Sequence, residues 1–132
     1  MATKIYVNLP VKDLNRSVAF FTALGFGFDP RYTDATATCM VVTDAIHVML
    51  LTEAKFMSFT PKQICDTAKS TEVLLALSTD SRDAVDALVG KALAAGATTF
   101  SEPHEYGFMY GHGFQDLDGH IWELFHTTPT AH

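Results

Sequence analysis

The amino-acid sequence predicts an α+β fold built from two βαβββ modules, and three observations support this prediction. The chain has 132 residues, 48% of them hydrophobic and 18% charged, so it can form a core and does not have the composition of a disordered chain. Strand-like alternation is interrupted twice by a helical pattern. The two helical patterns begin near Asp13 and Asp80, about half a chain apart. The order of the elements therefore repeats.

The first module opens with an alternating segment, residues 5–10, that predicts a strand. Asp13 can cap the helix that follows, and Gly25 can close it. The apolar residues of this helix recur at helical spacing: Leu14, Val18, Phe21 and Leu24. Three further strands are predicted at residues 26–32, 37–43 and 46–51.

The second module repeats this order. Residues 72–79 predict a strand, and Asp80 or Ser81 can cap a helix that ends at Gly96. The last three strands are predicted at residues 98–101, 107–115 and 120–126.

We expect one domain, with modules at about residues 1–52 and 71–127 and a linker at 53–70. Thr60 as N-cap and Pro61 at the first helical position predict a short helix in this linker. The linker residues Phe56, Met57 and Phe59, which precede this helix, are apolar. We expect them to cover the core, to close over a pocket or to contact a partner subunit.

Composition narrows the classes of function. The net charge of −6 argues against a surface for nucleic acid or an anionic membrane. No apolar run approaches the roughly 18 residues that span a bilayer. The first residues lead directly into a strand instead of a signal-peptide core, and Cys39 and Cys65 form no C-x-x-C pair. The sequence therefore predicts a cytoplasmic protein without nucleic-acid or membrane partners.

The most specific motif is FQDLDGHIWEL, residues 114–124. Asp118-Gly119 between two strand patterns predicts a tight hairpin, because glycine readily adopts positive φ. Asp116 can accept hydrogen bonds from backbone amides and fix the turn. Alternate residues of the second strand share one face: Ile121, Glu123 and Phe125. A carboxylate between two apolar neighbours makes Glu123 a candidate site residue.

This motif resembles the closing hairpin of the vicinal oxygen chelate superfamily, which comprises glyoxalases, bleomycin-resistance proteins and extradiol dioxygenases. Residues 8–14 (NLPVKDL), 17–21 (SVAFF) and 24–26 (LGF) resemble its first strand and helix. Leu117 and His120 replace the proline and asparagine that are usual in the hairpin. The chain also resembles proteins labelled predicted lactoylglutathione lyases. The resemblance implies an eight-stranded, incompletely closed mixed sheet around a cavity, and a homodimer.

The resemblance further implies four positions at which many relatives hold a divalent metal. Glu123 matches the last ligand, whereas the other positions fall on Tyr6 or Val7, on Met49 or Leu50, and on Leu74 or Val73. Leucine, valine and methionine do not suit Mg, Mn, Ni or Zn. We therefore expect no cofactor. A rearranged divalent-metal site would need His47 and Glu72, each about two positions from the strict match and so on the same strand face.

Three roles stay open for Glu123. It can be a structural carboxylate bonded to Tyr6, Asn8 or Tyr110, a general base in catalysis, or a metal ligand. The residues expected to line the cavity and contact substrate are Tyr6, Asn8, Met49, Leu74, Phe108, Tyr110 and Ile121. Phe108 and Tyr110 belong to a glycine-rich segment that allows a ligand to approach closely, and ordinary core packing of these rings is the alternative.

Two functions are consistent with these features. The first is a protein that binds a small molecule in the sheet cavity without the usual four-ligand metal site, as in the bleomycin-resistance branch. The alternative is a metal-dependent lyase or dioxygenase, similar to lactoylglutathione lyase, with a rearranged ligand set. The resemblance does not identify the reaction, because a fold alone does not determine a function.

Overall fold

The computed structural model describes residues 3–128, and the chain divides into two compact units, Met1–Cys65 and Asp66–His132. Each unit holds a four-stranded mixed sheet, with strand order β1-β4-β3-β2 in the first and β5-β8-β7-β6 in the second. The identical order confirms the predicted repeat and the α+β class. No helix within residues 3–128 is long and apolar enough to cross a membrane.

The first unit follows the predicted order of elements. Its elements are β1 Ile5–Val11, α1 Leu14–Ala23, β2 Gly27–Asp29, a 3-10 turn Pro30–Tyr32, β3 Ala37–Val41, β4 Ile46–Thr52 and α2 Glu53–Met57. Asp13 caps α1 by accepting the backbone N–H of Arg16 at 3.1 Å. β1 pairs with β4 in parallel, and the other pairs are antiparallel. One side of this sheet is buried together with Phe20 and Phe21 of α1, and its residues include Leu9, Val48 and Leu50.

The second unit contains β5 Leu74–Ser78, α3 Arg82–Ala94, β6 His104–Glu105, β7 Met109–Gln115 and β8 Ile121–Thr127. Ser81 caps α3 by accepting the N–H of Ala84 at 3.0 Å. The helix packs against β7 and β8. The core on this side of the sheet includes Phe114, Trp122 and Leu124, each 1% exposed. Glu123, between Trp122 and Leu124, must therefore point to the opposite face.

Two predicted elements are wrong. The linker helix begins at Glu53 and not at Pro61, because Thr52 at the end of β4 caps it by accepting the N–H of Lys55. Residues 60–70, including Cys65, are not helical. Residues 98–101 form only one bridge, between Thr98 and Gln115. Pro103 cannot donate to a strand ladder, and pairing resumes after it, at β6.

The β7–β8 hairpin confirms the predicted role of Asp116. Its Oδ1 accepts the N–H groups of Asp118 at 2.9 Å and His120 at 3.0 Å. Its Oδ2 accepts the indole N–H of Trp122 at 3.0 Å. Burial raises the pKa of Asp116, although His120 and these N–H donors oppose that rise. Gly119 has a φ of +81°, which explains why the turn requires glycine.

Candidate functional site

Four predicted residues lie side by side on the first sheet. Tyr6 pairs with His47 and Asn8 pairs with Met49 across β1 and β4, so these side chains share one face. The Tyr6 ring stacks on the His47 imidazole, with 4.5 Å between centroids and 12° between planes. His47 is 8% exposed, and its Nδ1 has no hydrogen-bond partner within the described part of the chain.

The second sheet carries a cavity on the face that does not contact α3. Leu74 pairs with Ile121 and Ala76 with Glu123, which places the predicted residues Leu74, Ile121 and Glu123 on that face. The cavity has a volume of about 420 Å³. Its lining residues come from all four strands and the turn after β6: Ala76, His104, Tyr106, Met109, Gly111, Glu123 and Phe125.

Gly113 makes room for the carboxylate of Glu123. The two residues face each other across β7 and β8. A Cβ atom at Gly113 would lie 3.1 Å from Glu123 Oε2 and 3.0 Å from Phe100 Cζ, so a side chain there would crowd both groups. No donor in residues 3–128 forms a hydrogen bond with the Glu123 carboxylate. Its oxygens are therefore available to a ligand in the cavity.

Tyr110 lies on the opposite face, so the prediction that it lines the cavity is wrong. Its hydroxyl donates to Asp86 Oδ1 of α3 at 2.5 Å, and the Arg82 guanidinium lies 4.3 Å from its ring centroid. The hydrogen bond to Asp86 raises the pKa of Tyr110. The physical reason is strand alternation: Gly111 occupies the cavity face of β7, so its neighbour Tyr110 must face the helix. Tyr110 therefore cannot partner Glu123.

Two other predicted residues lie outside the strands. Phe108 belongs to the turn between β6 and β7 and is 54% exposed. Glu72 is exposed and precedes the first residue of β5 by two positions. Neither residue contributes to the cavity lining.

Replacing Tyr110 with phenylalanine tests its structural role. We expect Tyr110→Phe to lower the free energy of unfolding by about 0.5–1 kcal/mol, since one hydrogen bond to the exposed carboxylate of Asp86 is lost. Urea denaturation measures this loss. Tyr106→Phe is the matched control, because Tyr106 lies on the cavity face, and its stability should equal that of the wild type. Equal stability of Tyr110→Phe and wild type would show that the Asp86 contact contributes nothing.

Sequence reasoning missed three lining residues, His104, Tyr106 and Met109. The strand at the edge was predicted at 98–101, which left His104 and Tyr106 in a loop. The rings of these two residues stack, with 5.9 Å between centroids and 13° between planes. Their i, i+2 spacing opposite the glycine-rich strand β7 is the signal that would have placed both on one face.

The donor atoms do not fit a four-ligand divalent metal site. Beside Glu123, the positions implied by the resemblance carry the phenol of Tyr6, the thioether of Met49 and the hydrocarbon of Leu74. Carboxylate, imidazole and thiolate groups are the usual ligands of such ions. Within residues 3–128, no three His, Cys, Asp or Glu side chains are grouped so that they could hold a metal ion.

Comparison with known proteins identifies one family and several solved structures of similar fold. The family model of the Glyoxalase/Bleomycin resistance protein/Dioxygenase superfamily matches residues 5–124. Hypothetical protein SA1046 from S. aureus is 29% identical, with a TM-score of 0.79 over 95% of this chain and 94% of that chain. No curated protein matches the chain.

Two further solved structures share the fold at lower identity. A glyoxalase/bleomycin resistance protein/dioxygenase family enzyme from Burkholderia phytofirmans PsJN is 22% identical, with a TM-score of 0.79 over 96% of this chain and 99% of that chain. TnmS3, an antibiotic binding protein from Streptomyces sp. CB03234, is 16% identical, with a TM-score of 0.69 over 97% and 98% of the two chains.

Proposed function

The chain belongs to the glyoxalase/bleomycin resistance protein/dioxygenase superfamily, and we propose on that premise that it binds a small organic molecule in the cavity of its second sheet. One observation carries the proposal: a cavity of about 420 Å³ has mostly apolar and aromatic walls and a single carboxylate, that of Glu123. Ligand pockets have volumes of about 300–1,000 Å³ and combine apolar walls with a few polar groups. TnmS3, which shares the fold, is an antibiotic binding protein.

Glu123 is the polar anchor in this proposal. Its carboxylate is half-buried and has no donor among residues 3–128, so a donor group of a ligand would satisfy it. The general-base role, one of the three that the sequence leaves open for Glu123, requires the same contact with a bound molecule.

A screen of small aromatic compounds by thermal shift tests the proposal. Ligands that bind the folded state raise the melting temperature, and we expect hits whose affinity falls at least about fivefold in Tyr106→Ala through loss of an aromatic contact. Tyr32→Ala is the matched control, because Tyr32 and Tyr106 are 55% and 56% exposed and lie in different units. A screen without hits, or hits that neither Tyr106→Ala nor Glu123→Gln weakens, would contradict the proposed site.

Metal titration tests the metal-independent part of the proposal. Purified, dialysed protein is analysed for metal content and titrated with Ni, Zn, Mn and Fe(II), and the same is done with Glu123→Ala. We expect no stoichiometric binding that depends on Glu123, because the other implied ligand positions carry Tyr6, Met49 and Leu74. Stoichiometric metal that is lost in Glu123→Ala would instead favour the metal-dependent lyase or dioxygenase.

A further inference from the structure

We propose that the first sheet binds a copper(I) ion through the thiol of Cys39, the imidazole of His47 and the thioether of Met49. The three residues come from two neighbouring strands, β3 and β4, and lie on the face of the sheet that does not contact α1. The proposal goes beyond the proposed function, because it involves neither the cavity of the second sheet nor Glu123.

The strand register places the three side chains on one face. His47 and Met49 are two residues apart on β4, so both point to the same side of the sheet. Cys39 of β3 is the direct cross-strand partner of Met49. The intervening residue Val48 pairs with Met40, and this pair belongs to the buried face toward α1. The backbone pairing therefore brings one thiol, one thioether and one imidazole together.

The spacing on a sheet allows these side chains to share one ion. Residues directly opposite each other, such as Cys39 and Met49, have Cβ atoms about 4.5–5.5 Å apart, and diagonal neighbours lie about 7–8 Å apart. Residues two apart on one strand, such as His47 and Met49, are roughly 6.8 Å apart. Metal bonds add about 2.3 Å at sulfur and about 2.0 Å at an imidazole nitrogen. Side chains of these lengths can therefore converge on one point between them.

His47 supplies the second observation that points to a ligand. It is 8% exposed, and its Nδ1 is buried with no hydrogen-bond partner among residues 3–128. Such a group is costly, and a bound ion is one of the ways to satisfy it. The Tyr6 ring covers one face of the imidazole, whereas the lone pair of Nδ1 lies in the ring plane when the proton is on Nε2. A metal ion can therefore bind this nitrogen without displacing Tyr6.

The combination of donor atoms selects the metal. Zinc takes thiolate and imidazole ligands, but a thioether is not among its usual ligands. Thioethers are soft donors that favour Cu(I), and imidazole and thiolate groups also bind copper. Copper is thus the ion that accepts all three groups. Cys39 binds it as a thiolate and releases its proton to solvent, so the single charge of Cu(I) is neutralised and no oxidation or reduction takes place.

Asp29 is not part of the ligand set, although it pairs with Cys39 from β2. Its two carboxylate oxygens accept three N–H groups of Arg31, at 2.8–3.1 Å. Cys39 is 1% exposed, whereas Met49 is half-buried, so Met49 is the ligand nearest to solvent.

Competition with a Cu(I) chelator tests the site. Metal-free protein is titrated, under anaerobic conditions with ascorbate, against the coloured Cu(I) complex of bathocuproine disulfonate. We expect one Cu(I) per chain. Binding should be at least about tenfold weaker in Cys39→Ala, His47→Phe and Met49→Leu, because even the loss of groups that only support metal ligands costs about 10–100-fold in affinity. His47→Phe keeps a ring against Tyr6, and Met49→Leu conserves volume, so these two variants should keep the fold.

Met40→Leu and Cys65→Ala are the matched controls. Met40 adjoins Cys39 but belongs to the other face of β3, and Cys65 is the other free cysteine among the described residues. Both variants should bind Cu(I) like the wild type. An equal loss in Cys65→Ala would assign the binding to thiols in general, and an equal loss in Met40→Leu would assign it to weakening of the sheet. Either result would overturn the proposal.

X-ray absorption of the Cu(I)-loaded wild type identifies the ligands even if a variant does not fold. We expect two sulfur neighbours and one nitrogen neighbour, and one sulfur fewer in Met49→Leu. A single sulfur in the wild type, or Zn(II) that displaces Cu(I) at equal concentration, would overturn the assignment of the three ligands. Failure of the protein to take Cu(I) from the chelator would do the same. None of these results bears on the proposed function, which is tested with organic compounds and variants of the second unit.

Discussion

Replacing Asp116 with alanine will lower the free energy of unfolding by about 3 kcal/mol or more, because buried N–H groups without an acceptor cost about 1–3 kcal/mol each. The carboxylate accepts three such groups, two from the backbone of the β7–β8 turn and one from the indole of Trp122. Asp116 is 7% exposed and Trp122 is 1% exposed, so water cannot replace the lost acceptor without opening the hairpin. Native proteins are stable by about 5–15 kcal/mol, and the expected loss is a large part of that.

Trp122 is the single tryptophan of the chain, so all tryptophan fluorescence comes from this hairpin. Urea denaturation followed by tryptophan fluorescence gives the free energy of unfolding. Hydrogen exchange of the indole N–H reports on the contact itself, and exchange should be faster in Asp116→Ala. Asp116→Asn is the matched control. It keeps one acceptor oxygen but replaces the other with an NH2 group, which cannot accept a hydrogen bond. Its loss of unfolding free energy should be about half as large. Unchanged stability in both variants would show that the hairpin does not depend on this carboxylate.

The sequence was most informative where local chemistry determines the structure. The caps at Asp13 and Ser81 and the turn at Asp116 involve partners only two to four residues away. Alternation in β8 was equally readable, because Trp122 and Leu124 face the core and Glu123 lies opposite. In each case the pattern and the physical requirement lie within one short segment.

The parts that could not be predicted depend on pairing between distant residues. Nothing within residues 98–105 shows that the pairing with β7 stops after Thr98 and resumes at His104, so His104 and Tyr106 were not recognised as site residues. The linker helix starts at Glu53 and not at Pro61, because Thr52 caps it and Thr60 does not. Tyr110 was assigned to the wrong face because the register of β7 against β8, which places Gly113 opposite Glu123, is set by tertiary structure.

Replacing Gly113 with alanine will both destabilise the second unit and abolish ligand binding. A Cβ atom there would lie 2.5 Å from the backbone oxygen of Trp122, closer than non-bonded atoms approach. That oxygen belongs to β8, so relief requires the strands to separate, and we expect a loss of about 2–3 kcal/mol of unfolding free energy. The same Cβ atom would displace the Glu123 carboxylate, from which it would lie 3.1 Å.

Gly111→Ala distinguishes this effect from a general intolerance of side chains on β7. Gly111 lies two residues earlier on the same face, where a Cβ atom would meet Leu124 O at 3.4 Å and Phe125 Cβ at 3.7 Å. These are ordinary contacts, so its melting temperature should stay near that of the wild type. Its ligand affinity should nevertheless fall, because the added methyl group would enter the cavity, where Gly111 pairs with His104 on one side and Phe125 on the other. If both variants melt like the wild type and bind ligand equally well, the binding site is not on this face of the sheet, since Gly111 lines the cavity and Gly113 lies opposite Glu123.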